Sequence, residues 1–523
     1  MKVELFDTTL RDGAQAPGLS YSVGDRLRIL HKLDGLGIPY IEGGWPGANP
    51  RDTEFFRLAT KEKLHAQLVA FGMTRKAGER AEVSSTLRDL LDAGTETVCF
   101  VGKSWDLHVT EALRTDLDEG VSMVRDTVRF LRSEGRRVFF DAEHFFDGYR
   151  SNPDFAMRVL ASAEEAGAER LVLCDTNGGS LPSDVARVVA EVKARTSVPL
   201  GIHTHNDAGC AVASALAAVD AGVLQVQGVV NGYGERTGNA DLIPLIADLT
   251  LKLGADCLPD GALERLTEVA HFVAEVANVP PDPRQPYAGR FAFTHKAGLH
   301  SSGVARLTEA YEHVAPEMVG NHRGVVASDL GGAATLRMKA AEFGLELHDE
   351  AIPGLLSELK DREARGYTFE VADASLELLM RRHDGWKQPF FEIESFRVHV
   401  ERRPGDEETL AEATVKVRTN GSRHIESAEG QGPVGALDNA LRKALANEYP
   451  ELGHITLEDY RVRVLDETVG TGATVRVLID TSNGQREWTT VGVSENIIEA
   501  SWEALTDSLL YGLLHPREDP LGE

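Results

Sequence analysis

The chain has 523 residues, three to four times the length of a typical domain of about 150, so a lone small domain is excluded. Apolar residues make up 42% and charged residues 26%, an ordinary globular composition that excludes wholesale disorder. With 55 Lys plus Arg against 82 Asp plus Glu, the formal charge of −27 repels a phosphate backbone, so no nucleic-acid partner is expected. A small anionic substrate stays open wherever fixed cations or a metal overcome that field locally. Four cysteines, Cys99, Cys174, Cys210 and Cys257, are widely spaced without a CxxC, and three sit in apolar or Gly/Ala-rich stretches, which reads as a reducing compartment. The amino-terminal MKVELFDTTLRDG has neither an apolar signal core nor an Arg-rich presequence, and no apolar run approaches the ~20 residues of a membrane helix. A cytoplasmic protein with no membrane partner is expected.

Over the first 250 or so residues, short apolar runs alternate with amphipathic stretches. VELFD, YIEGG, LVAFG, TVCFVG, VFFDAEH, LVLCDT, LGIHTH and VQGVVN are strand candidates, separated by helical patterns such as VGDRLRILHKLDGLG and DVARVVAEVKA. Eight βα units predict an α/β fold, a (β/α)8 TIM barrel over residues 1–262. An open Rossmann sheet is the alternative, but no GxGxxG follows the first strand. From 263 to 388 the alternation stops, and a helical linker region is expected, with PPDPRQP (Pro280 to Pro286) as a break between blocks. From 389 to 523 the order strand, strand, strand, helix occurs twice. Ala413-Thr-Val-Lys-Val417 recurs as Ala473-Thr-Val-Arg-Val477, which predicts a duplicated β3α domain, regulatory rather than catalytic.

Barrel enzymes carry their reactive groups at the carboxyl ends of the strands. Strand one ends in Asp7-Thr-Thr-Leu-Arg-Asp-Gly13, strand seven in His203-Thr-His205-Asn-Asp207, and strand eight runs into Asn231-Gly-Tyr-Gly-Glu-Arg-Thr-Gly-Asn239. The two-residue strand period turns His203 and His205 to one side, and closure makes strands seven, eight and one neighbours. Asp12, both histidines and Asn239 can therefore meet as a metal site. Each piece has an ordinary alternative: a structural HxH, a local Arg-Asp ion pair, turn chemistry in the Gly-rich loop. Their coincidence on the face where barrels do chemistry favours the metal. Imidazole, carboxylate and carboxamide donors suit Mn²⁺ or Mg²⁺, with Zn²⁺ also compatible. Phe71, Phe100 and Asp141, near the ends of strands three, four and five, are candidates to line a substrate pocket.

DTTLRDG, HTHND and NGYGERTGN together resemble the metal-dependent barrel family of 2-isopropylmalate, homocitrate and citramalate synthases, over essentially the whole chain. HKAGLH and the duplicated end domain fit the same family. Within it, IEGGWPGANPRD, GKSWDLHVTEAL, DAEHFFDGY and VGVSENIIEASWEAL are most similar to the citramalate synthases. The resemblance implies an acyltransferase joining acetyl-CoA to pyruvate and hydrolysing the thioester. It makes Asp12, His203 and His205 metal ligands, with Asn239 a ligand or a support to one. It gives Arg11 the keto oxygen, Thr176 the substrate carboxylate and Glu143 a part in proton transfer. His300 and Tyr311 match residues that reach a neighbouring subunit's site, which implies a homodimer or higher homo-oligomer. The end domain then takes isoleucine or leucine as effector; its Gly-rich turns Glu429 to Pro433 and Val469 to Gly472 permit close backbone approach to a small zwitterion, or are ordinary turns. Two other functions stay open: synthesis from a larger 2-oxo acid, and a non-catalytic amino-acid sensor.

Overall fold

Eight parallel strands close in chain order: β1 (Glu4–Asp7), β2 (Tyr40–Gly44), β3 (Gln67–Met73), β4 (Thr97–Lys103), β5 (Arg137–Glu143), β6 (Arg170–Asp175), β7 (Leu200–Thr204) and β8 (Gln225–Gly228), the last pairing back onto β1. Helices follow the strands, as a (β/α)8 barrel requires. The computed structural model describes residues 1–295, 307, 311–325, 333–369, 371–402, 410–465 and 473–517. It divides into two compact units, Met1–Phe293 with His313–Arg323, and Thr294–Glu312 with Gly324–Glu523. No helix among the described residues is long and apolar enough to cross a membrane.

Local signals set the helices. Ser22 and Asp25 cap each other reciprocally at the start of Val23–Leu36, and Gly37 ends it at φ 96°. Asn49 and Asn152 each cap a helix whose first residue is proline, a substitution for Ala costing about 1 kcal/mol.

The strand pleat then decides which side chains reach the lumen. β5 sends Phe139, Asp141 and Glu143 inward, while Val138, Phe140 and Ala142 join the outer layer under the helices. Phe6, Tyr40, Val69, Phe71, Cys99 and Phe139 pack together inside the barrel. At the opposite, amino-terminal end, Arg137 pairs with Glu169 at 2.8 Å and Arg170 with Glu4 at 2.7 Å. Aromatic packing and ion pairs fill the lower barrel, so space for a ligand is left at the carboxyl ends. Phe100 corrects the sequence reading: it has outward parity and packs on Phe140, ring centroids 5.3 Å apart, while its neighbour Val101 lines the cavity.

The first unit does not end at the Pro-rich stretch. Tyr287, Ala288 and Phe293 are buried in the barrel's core cluster, and the Tyr287 hydroxyl donates to Asp248 at 2.5 Å. Apolar burial outweighs the local breaker.

In the second unit, helices Ala333–Glu342, Ile352–Ala364 and Asp373–His383 share a core with Tyr367 and Phe369. Two three-stranded antiparallel sheets follow, β9 (Glu392–Glu401), β10 (Leu410–Thr419) and β11 (Ser422–Gly430), then β12 (Thr456–Val464), β13 (Val475–Ser482) and β14 (Glu487–Ser494), each followed by a helix, Pro433–Leu445 and Ile497–Leu514. One apolar cluster spans both repeats. The β9/β10 pair Ile393–Val417 and the β12/β13 pair Leu457–Thr481 flank the same irregularity, so Ala413 corresponds to Val477, not to Ala473. The recurring ATVKV and ATVRV are therefore out of step with the structural repeat. They match because both strands alternate with the same period.

Candidate active site

β1 stops at Asp7, whose carboxylate accepts from the Thr9 backbone N–H at 2.9 Å and its hydroxyl at 2.7 Å. That turn carries Arg11 and Asp12 over the barrel mouth. Arg11 Nε donates to Glu42 Oε2 at 2.5 Å, its guanidinium lies 3.9 Å from the centre of the Phe71 ring, and Nη1 stands 3.2 Å from Asp12 Oδ2. Burial opposes the Arg11 charge, but Glu42 and Asp12 more than restore it, so Arg11 is a fixed cation. Burial also pushes the Glu42 carboxyl up to about 7, against the pull of Arg11.

Asp12, His203 and His205 are all buried, and one potential ligand atom from each lies within 4.8 Å of the others. His203 Nε2 is 3.2 Å from Asp12 Oδ2 and 3.3 Å from His205 Nε2, and His205 Nε2 is 3.8 Å from the same Asp12 oxygen. Burial would raise the Asp12 carboxyl, but Arg11 and His203 hold it far below the carboxylate range. Burial and the neighbouring His203 push His205 down to about 3, so its ring is neutral and able to ligate. β7 ends at Thr204, one residue short of His205, which instead forms an isolated antiparallel bridge with Asn239. Bridged residues put their side chains on the same face. Asn239 donates its amide N–H to Tyr233 O at 3.2 Å, leaving Oδ1 buried with no hydrogen-bond partner among the described residues. The loop supplying Asn239 depends on glycine: a Cβ on Gly234 (φ 145°) would meet Asn239 Nδ2 at 2.2 Å, and one on Gly238 (φ 88°) would meet Gly232 O at 1.9 Å. Two imidazole nitrogens, a carboxylate and an orphaned carboxamide oxygen fit a divalent cation.

Arg11, Asp12, Glu143, Thr176, His203 and His205 line one cavity of about 190 Å³, with Trp45, Phe71, Val101, Asp141 and Cys174 on its walls. Thr176 Oγ1 accepts from the His144 backbone N–H at 2.9 Å, which leaves its own hydroxyl proton for another acceptor. Glu143 is ion-paired with Lys103, an inward residue of β4.

The structure thus gathers six of the nine catalytic, substrate-binding and metal candidates in one cavity, with the pocket candidates Phe71 and Asp141 on its walls, and sets Asn239 beside His205. Tyr311 belongs to the second unit and is 41% exposed. His300 lies outside the described residues, as does the Gly-rich turn Val469 to Gly472. Sequence reasoning missed Glu42, Lys103 and Gln227. Each has inward parity on its strand, which marks it as facing the lumen but not the partner it holds.

Residues 2–273 match the HMGL-like family model, residues 288–366 the homocitrate synthase post-HMGL domain-like model, and residues 370–513 the LeuA allosteric (dimerisation) domain. The barrel is that of an HMGL-like protein. Among curated relatives, the chain is 52% identical to "(R)-citramalate synthase" of Streptomyces coelicolor, covering 98% of this chain and 96% of the relative. It is 50% identical to the Synechocystis protein of that name (97% and 96% covered) and 48% identical to the Aquifex aeolicus one (99% of both). The chain belongs to the (R)-citramalate synthase family.

Proposed function

We propose that the chain condenses acetyl-CoA with pyruvate and hydrolyses the thioester, releasing (R)-citramalate and CoA, on a pyruvate route to isoleucine. The observation that carries this reading is the convergence of Arg11, Asp12, Glu143, Thr176, His203 and His205 on one small cavity, in a chain whose curated relatives at 44–52% identity are named for this activity.

Asp12, His203, His205 and Asn239 would hold the divalent metal, Mn²⁺ or Mg²⁺ with Zn²⁺ also compatible. When bound, it supplies a Lewis acid beside the substrate's keto group. Thr176 donates its hydroxyl proton to the pyruvate carboxylate. Glu143, with His300, takes a proton from the acetyl methyl group, and the resulting carbanion attacks the keto carbon. Arg11, held rigid by Glu42 and Phe71, meets the charge arising on the keto oxygen without reorganising. Tyr311 joins His300 in completing the site. Water then cleaves the thioester.

The proposed division is a catalytic barrel over 1–262, linker segments over 263–388 that complete the site, and a regulatory, dimerising domain over 389–523. The protein acts in the cytoplasm as a homodimer or higher homo-oligomer, with isoleucine, or else leucine, as effector. The match to an allosteric dimerisation model supports the dimer and the effector site.

Metal-loaded protein given acetyl-CoA with pyruvate, 2-oxoisovalerate or 2-oxoglutarate, and followed by release of free thiol, tests the reading. Pyruvate should give the highest kcat/KM. A higher value for 2-oxoisovalerate or 2-oxoglutarate moves the assignment to isopropylmalate or homocitrate synthesis, and silence with all three favours the sensor.

A further inference from the structure

Gln227 sits on β8 with inward parity, fully enclosed at 1% exposure. Its Oε1 is 2.8 Å from His203 Nδ1. Its Nε2 donates to Asp141 Oδ1 at 3.2 Å, and the Cys99 thiol donates to the same oxygen, also at 3.2 Å. A hydrogen-bonded chain thus runs from Cys99 through Asp141 and Gln227 to His203, entirely inside the barrel.

With Asp141 ionised, the direction of each bond follows from donor and acceptor chemistry. An amide nitrogen only donates and an amide oxygen only accepts. Asp141 accepts at Oδ1, so Gln227 must turn its nitrogen there and its oxygen toward His203. His203 Nδ1 must then carry a proton. A neutral imidazole with its proton on Nδ1 has its lone pair on Nε2, the atom that faces Asp12 and His205. Partners of this kind orient metal-bound histidines, and losing one typically costs about 10–100-fold in metal affinity.

We propose that Gln227 is a positioning residue of the metal centre: its side-chain amide, clamped by Asp141, holds His203 in the tautomer and orientation that present Nε2 to the cation. The idea rests on reading Asp12, His203 and His205 as metal ligands. It also explains why the position holds an amide. A glutamate there would face the Asp141 carboxyl, and a neutral side chain that both donates and accepts satisfies the two neighbours at once.

The second glutamine of β8 supplies a control. Gln225 is as deeply buried, has the same parity one layer below, and leaves both amide atoms without a partner among the described residues. Removing it perturbs the barrel core without touching His203.

The test measures Mn²⁺ affinity of the full-length protein by competition with a chromogenic chelator, for wild type, His203→Ala, Gln227→Met, Gln227→Glu and Gln225→Met, with thermal melts of the metal-free proteins. Wild type should bind and His203→Ala should not; failure of wild type to bind would overturn the metal reading itself. Gln227→Met, close in size but unable to accept from His203 Nδ1, should bind about 10–100-fold more weakly. Gln227→Glu keeps an acceptor for His203 but sets a second carboxyl against Asp141 in place of the clamping N–H, so it should also bind about tenfold or more weakly, and Gln225→Met should match wild type. Wild-type affinity in Gln227→Met, or an equal loss in Gln225→Met, overturns the proposal. If Gln227→Met does not fold, Gln227→Glu still decides: wild-type affinity without the clamping N–H rules the proposal out.

Discussion

His203 Nε2 and His205 Nε2 face each other at 3.3 Å inside the barrel mouth, both rings buried and both within 3.8 Å of Asp12 Oδ2. Two protonated imidazoles at that distance would repel strongly, and only one proton can lie between two neutral ones. A cation bound by all three side chains removes the conflict. Chelation should therefore abolish thiol release, and added Mn²⁺ or Mg²⁺ should restore it. His203→Ala should lose metal by more than the ~10–100-fold cost of losing a supporting partner. Full activity with normal metal content in that variant would place the centre elsewhere.

Arg11 is fixed by Glu42, by Asp12 and by the face of Phe71. Lysine keeps the charge but cannot pair with Glu42 through Nε while presenting further N–H groups to the cavity. Arg11→Lys should lower kcat by about 10²–10³-fold, the usual cost of one preorganised donor at a developing oxyanion, with a much smaller change in KM. A change confined to KM would make Arg11 a binding group only.

Asp7 gives a pH dependence of stability separate from the metal centre. Burial raises its carboxyl from 3.8 to about 7, against the two bonds from Thr9. A carboxyl whose folded pKa is raised holds its proton more tightly when folded, so its stabilising contribution is complete in acid and lost as pH rises from about 4 through 7. Asp7→Asn can accept from the Thr9 N–H and has no proton to lose. The wild-type melting temperature should fall relative to Asp7→Asn across that window, and a constant difference would mean that Asp7 does not titrate there.

The barrel was legible because its strands and helices differ in hydrophobic period, and all eight strand candidates became strands. The clustering of Asp12, His203 and His205 was legible because they are rare types at the ends of adjacent strands. Phe100 was misplaced because nearness to a strand end says nothing about which face a residue takes; alternation with the inward Cys99 and Val101 does. Gln227 and Glu42 escaped notice for a different reason. Their roles are to hold His203 and Arg11, and such roles show only when the partners' side chains are placed in space. The repeat in the end domain was visible, but its register was not, since β alternation lets a strand match its copy at the wrong phase.

Isoleucine inhibition should depend on the second unit's duplicated sheets, which match the allosteric model over residues 370–513. A chain ending after Gly385 lacks both sheets. It should show weak or no response to isoleucine, and unchanged inhibition would put the effector site on the remaining part.

Tyr311 lies outside the barrel unit, and the family resemblance assigns it, with His300, to a neighbouring subunit's site. If each site combines Asp12 of one chain with His300 of the other, two inactive variants can repair each other. Asp12→Asn mixed with His300→Asn gives heterodimers in which one site collects both lesions and the other has neither. Random reassortment makes about half of the dimers mixed, each with one working site of two, so about a quarter of wild-type activity should return under two-fold symmetry. Steady-state thiol release after subunit exchange reads this directly. If exchange is confirmed by mass and no activity returns, His300 serves its own barrel or takes no part in the chemistry.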